Sequence, residues 1–275
     1  MTFQQKLDNI ISKNNSLLCI GLDSDFGKLP KFLQSSKHPQ FEFNKEIIDK
    51  TFDLVSTYKL NSAFYEARGA SGIEELKMTC DYIISNHPEI GIILDAKRAD
   101  IGNTNNGYVR FAFDYLRVDA ITLHPYLGQE AIQPFLDKKD KGCIVLCRTS
   151  NPGASELQDL RVDNEPLYMH IAKLVKTKWN SNKNCMLVVG ATYPRELAEI
   201  RKVAPDMTFL IPGIGAQGGD LKKTLAAGLN KKGRGLMIHS ARGIIFASHG
   251  KDFAAAARTE AEKLNNEINS LRKQP

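Results

Sequence analysis

Eight short apolar, β-branched runs alternate with amphipathic stretches of helical period along these 275 residues. That alternation predicts an α/β fold, with parallel strands joined by helices. Eight such units in this length fit a closed (β/α)8 barrel of the TIM type, a single domain over residues 1–275, better than an open sheet. Charged residues recur where successive runs end, which is the face where such barrels carry their chemistry.

The elements follow in order. Phe3, Leu7, Ile10 and Ile11 share one face of a first helix, and Leu17–Asp23 is the first strand, ending in an acid. A proline-containing loop, 27–39, leads to a helix with Phe43, Ile47, Ile48, Leu54 and Val55 on its apolar face. Ser56–Tyr65 reads as the second strand, with Lys59 and Asn61 on one side. The next helix is expected to start at Ser71, with Glu74 completing a capping box. The apolar run at Ile92–Leu94 opens the third strand, which continues as Asp95-Ala96-Lys97-Arg98-Ala99-Asp100. A helix over about 104–116, a fourth strand at Asp119–Pro125 and a short helix at 129–136 follow. Cys143–Ser150 is the fifth strand, Asn151–Asp163 a polar loop, and Pro166–Trp179 a helix. Met186–Gly190 is the sixth strand, and Pro194 opens the helix after it. Thr208–Gly215 is the seventh, Leu236–Ser240 the eighth, and an alanine-rich helix from Phe253 to Leu271 closes the chain.

Composition narrows the function classes. Hydrophobic residues make up 42% and charged residues 25%, as in ordinary globular proteins, and no apolar run approaches a membrane span. The net charge of +6 comes from lysines and arginines without interleaved aromatics, so neither nucleic acid nor membrane is the expected partner. Five scattered cysteines without a CxxC pair point away from zinc and disulfides and toward the reducing cytoplasm.

The chemistry concentrates in the third strand. Asp95 and Lys97 are two residues apart, so a strand presents both to one face. Lys59 comes from the neighbouring strand, and Asp100 follows closely. An amine held between carboxylates stays protonated, which makes Lys97 a proton donor rather than a Schiff-base nucleophile. The competing reading is an ion-pair network that only braces the barrel mouth. A second site lies at Pro212-Gly213-Ile214-Gly215-Ala216-Gln217-Gly218-Gly219. Glycines there let backbone N–H groups approach an anion, and Arg242 after the eighth strand adds a guanidinium suited to phosphate. The loop from Ser150 reads as either a lid or an ordinary surface loop. His124 and His239 read as structural.

Asp95-x-Lys97-Arg98-x-Asp100-Ile101-x-x-Thr104, with Lys59-x-Asn61, Pro212-Gly213-Ile214-Gly215 and Ser240-Ala241-Arg242, resembles the orotidine 5'-phosphate decarboxylase family. Thr149-Ser150-Asn151-Pro152-Gly153-Ala154 is similar to its longer bacterial-type (type 2) branch. Ala99 stands where that branch often has glycine and His124 where asparagine is common. The resemblance implies decarboxylation of orotidine 5'-phosphate to UMP without cofactor or metal. It implies that Lys97 protonates C6, Asp95 lies beside the substrate carboxylate, and Lys59 bridges the charged network and the ribose. It further implies that Asp23 and Asn61 contact ribose, Ser150 the pyrimidine, and Gln217 with Arg242 the phosphate. A homodimer is implied as well, with Asp100 and Thr104 entering the neighbouring subunit's site. Rival readings are a metal-dependent decarboxylase of a sugar-phosphate keto acid, a Schiff-base aldolase and a non-enzymatic nucleotide-phosphate sensor.

Overall fold

The computed structural model describes residues 1–215 and 218–272. Its eight parallel strands are β1 (Leu18–Gly21), β2 (Thr57–Asn61), β3 (Gly91–Arg98), β4 (Ala120–Leu123), β5 (Gly142–Arg148), β6 (Cys185–Val189), β7 (Phe209–Ile211) and β8 (Leu236–Ser240). They close in the order β1-β8-β7-β6-β5-β4-β3-β2, which is the predicted (β/α)8 barrel. Closure pairs Leu18 with Ile238 and Ile20 with Ser240. The strands are short and apolar because both faces are covered, by helices outside and by side chains within. Helix α1 (Phe3–Asn14) crosses the bottom, and Phe3 seats against Gly91 and Gly142 at the starts of β3 and β5. A Cβ on either glycine would lie 2.7 or 2.4 Å from the Phe3 ring, so their missing side chains admit the plug. Phe3 thus plugs the floor of the barrel.

Several boundaries differ from the sequence reading, each for a local reason. The second strand stops at Asn61, whose side chain accepts from the Ala63 amide and caps a short helix, Ser62–Glu66. Ser71 is not an N-cap. The helix already begins at Gly69, and the Ser71 hydroxyl donates back to the Arg68 carbonyl at 3.0 Å. The seventh strand is reduced to Phe209–Ile211, because Pro212 has no N–H for the ladder. The helix after β3 runs only Thr104–Val109, then widens to a π-type turn over Arg110–Tyr115. The polar loop after β5 is ordered into a turn at Pro152–Ala154, a short helix at Ser155–Gln158 and a two-stranded ribbon, Arg161–Val162 with Glu165–Pro166. All five cysteines are buried and free, and no helix among the described residues is long and apolar enough to cross a membrane.

Candidate active site

β1, β2 and β3 are neighbours, so the acids and amines at their C-terminal ends converge. Lys59 is almost wholly buried, with a side chain 4% exposed, and its Nζ lies 3.0 Å from Asp95 Oδ2 and 3.3 Å from Asp23 Oδ1. Asp95 Oδ1 accepts from Lys97 Nζ at 2.7 Å and from the Thr122 hydroxyl at 2.8 Å. One carboxylate therefore holds two ammonium groups from adjacent strands. Burial works against the charge on Lys59, but attraction to Asp23 and Asp95 outweighs it and its pKa rises. Burial likewise opposes ionisation of Asp95. The Lys59 and Lys97 charges, with their hydrogen bonds, prevail and hold its carboxyl well below the usual range. Lys97 is the exposed member, with a side chain 49% accessible at the cavity mouth.

Simple strand alternation does not by itself place Lys97. Its φ is +48°, the left-handed region that costs a side-chain-bearing residue about 1–2 kcal/mol. The β3–β4 register also shifts between Leu94 and Arg98. Thr122 stabilises this bend, since its Oγ1 accepts from the Lys97 amide at 2.9 Å while donating to Asp95. A strained backbone held beside an ion-pair network is the kind of feature that clusters at functional sites. Thr122 escaped sequence reasoning because a lone threonine in an apolar strand carries no signal of its own.

A cavity of about 500 Å³ opens above this centre, and Asp23, Lys59, Asn61, Asp95, Lys97 and Ser150 all line it. Thr149, Asn151 and Gln158 from the loop after β5 form one wall, and Pro212 and Gly213 after β7 another. His239 also lines it. Burial, reinforced by the Lys59 charge, pushes this imidazole down to about 3, so it is neutral at pH 7. Gly215, with φ +78°, lies outside this cavity in an adjoining pocket shared with Ser240 and Gly243. Arg242 is exposed at the start of a one-turn helix, Arg242–Ile245. Gln217 lies outside the described residues. Asp100 and Thr104 do not line the cavity of their own chain. The Asp100 amide donates to buried Asn105 at 2.8 Å, and its carboxylate accepts from the Ile101 amide at 2.7 Å. His124 faces the Ala99 carbonyl at 2.8 Å, a structural contact as expected.

A closed parallel barrel with a carboxylate-bridged lysine pair at its C-terminal rim defines a barrel enzyme with an acid–base centre. The comparisons with known proteins specify which. The family model "Orotidine 5'-phosphate decarboxylase / HUMPS family" matches residues 16–258, and the chain belongs to that family. The orotidine 5'-phosphate decarboxylase of Cellvibrio japonicus is 48% identical over 274 residues, covering 99% of this chain and 100% of that protein. The structure of Leishmania donovani OMP decarboxylase superposes with a TM-score of 0.85 at 39% identity, covering 99% of each chain. Leishmania donovani UMP synthase gives a TM-score of 0.88 at 40% identity, and the chain spans 57% of that longer protein.

Proposed function

We propose that this chain, as one (β/α)8 domain within a homodimer, converts orotidine 5'-phosphate to UMP and carbon dioxide in pyrimidine biosynthesis. The observation that carries the reading is the Asp95 carboxylate bridging Lys59 and Lys97 inside the rim cavity. The bond from C6 to the carboxylate carbon breaks, carbon dioxide leaves, and the electron pair remains on C6. Lys97 Nζ gives its proton to that carbon and is reprotonated from solvent. Asp95 aims the amine, and no cofactor or metal enters the step. A vinylic carbanion is so unstable in water that the site must supply a large part of the roughly 8–23 kcal/mol by which enzymes lower barriers. A fixed array of alternating charges provides this without reorganising as charge develops.

The remaining roles are carried by the family resemblance. Asp23 and Asn61 face the ribose, and Lys59 links ribose to the charged centre. Ser150 faces the pyrimidine, while Gly215, Gln217 and Arg242 hold the phosphate, whose binding energy organises the distant reacting end. Asp100 and Thr104 complete the partner subunit's site. Support for the dimer comes from an exposed apolar side chain between them in sequence, Ile101 at 63% accessible. Five buried, free thiols suit a cytoplasmic location.

The test is the loss of orotate absorbance when purified protein meets orotidine 5'-phosphate, with and without a chelator. Turnover indifferent to chelator is expected. Chelator-sensitive turnover would favour a divalent-cation mechanism, and binding without turnover a sensor.

A further inference from the structure

Arg148, the last residue of β5, is 2% exposed although it carries a full charge. Its surroundings do not account for that burial by packing alone. Its only carboxylate partner among the described residues is Asp159, 3.2 Å from Nη2 and itself 44% exposed. Its Nη1 donates to Gln158 Oε1 at 3.3 Å, and its Nε has no partner among the described residues. The guanidinium stacks 3.9 Å from the centroid of the Tyr193 ring, which belongs to the turn after β6. A buried cation with an orphaned donor costs several kcal/mol unless something uses it.

What it holds is the cavity wall. Gln158 Oε1, besides accepting from Arg148, accepts from the Thr149 amide at 2.8 Å. Its amide nitrogen donates to Thr149 Oγ1, also at 2.8 Å, and that hydroxyl donates to Asn151 Oδ1 at 2.7 Å. Thr149, Ser150, Asn151 and Gln158 all line the substrate cavity, whereas Arg148 lies behind them and does not. β6 supports the same segment from the other side. The Gly190 amide donates to the Arg148 carbonyl at 2.7 Å, and a Cβ on Gly190 would stand 2.9 Å from Ser150 Cα.

We propose that Arg148 is a positioning residue for the reaction. Through Gln158 it latches the loop after β5 to its own root and so sets where Ser150 meets the base. If the loop swung away, Arg148 would lose Gln158 and Asp159 together and remain as a buried charge without an acceptor, so the latch biases the loop toward the wall. The inference rests on the decarboxylase reading for its kinetic consequence, but the latch itself can be observed without substrate.

Two single variants, their double and a lysine variant test it by two readouts. Arg148→Met keeps the volume of the stem and removes the guanidinium; Gln158→Leu, on a half-exposed loop residue, keeps the fold should the first variant fail to accumulate. Hydrogen exchange at the Thr149 amide should quicken about tenfold in either variant, the loss expected of a hydrogen bond anchored by a charged group. KM for orotidine 5'-phosphate should rise by a similar factor in each single variant, and the double variant should show that factor once, because both break one connection. Arg148→Lys, which retains charge but not the two-pronged reach, should recover only part of the effect. Unchanged Thr149 exchange, or effects on KM that multiply in the double variant, would overturn the latch. A wild-type protein that protects Thr149 yet never turns over orotidine 5'-phosphate would overturn the decarboxylase reading instead.

Discussion

His239 offers a quantitative test of how dry the floor of the cavity is. The imidazole is buried beside Lys59, and its Nε2 has no partner among the described residues. Burial, then the Lys59 charge, depress its pKa from 6.5 to about 3. Protonation therefore favours the unfolded chain, in which the ring titrates near 6.5. The stabilising contribution of the neutral ring is complete above that value and is lost as pH falls from 6.5 toward 3. One differential proton changes stability by about 1.4 kcal/mol per pH unit, so roughly 2 kcal/mol should vanish between pH 6.5 and 5. For a chain of this size that is a fall in Tm of about 4–8 °C. Replacing the ring by His239→Asn shifts stability at every pH through the altered packing, but it removes this slope. Thermal or denaturant unfolding of both proteins at pH 7, 6 and 5 measures the difference. The wild type should lose stability toward acid relative to the variant, and parallel curves over that range would show that His239 is solvated or hydrogen-bonded in the folded protein.

Three further substitutions probe the charged centre and the anion grip. Asp95→Asn takes away the carboxylate that holds both ammonium groups and leaves buried Lys59 with Asp23 alone at 3.3 Å. It should abolish turnover and cost about 3–5 kcal/mol of unfolding free energy, read by denaturant titration. Thr122→Val leaves the Lys97 amide without its acceptor and Asp95 without one donor. A kcat lowered about tenfold, with little change in KM, is expected, since the hydroxyl touches the acid–base pair and not the phosphate end. Arg242→Ala should weaken UMP binding, measured by calorimetry, by about 1.5–3 kcal/mol, the worth of a hydrogen bond to a charged group.

Much of this site could be read from residue order because barrel geometry makes strand ends converge. Asp23, Lys59, Asn61, Asp95, Lys97 and Ser150 each follow or close an apolar run, and all six reach one cavity. What could not be read depends on contacts across the chain. Thr122 matters only because a register shift in β3 brings the Lys97 amide to its hydroxyl. Gln158 matters because the polar loop folds back over nine residues onto Thr149. The second strand is shorter than its apolar run because the Asn61 side chain intercepts the backbone by capping the following turn. Ser71 shows the converse: a capping pattern was present, but Arg68 and Gly69 had already started the helix. The inner acid there is Glu75, which accepts from the Phe41 amide at 2.9 Å and pairs with Arg68.

Asp95 presents the Lys97 amine to the cavity. Single-turnover decarboxylation of orotidine 5'-phosphate by Lys97→Ala, with UMP affinity measured on the same sample, tests it most directly. Loss of about a thousandfold or more in rate, the scale of a positioned proton donor, with UMP still bound, is predicted. Turnover by Lys97→Ala at the wild-type rate would contradict it.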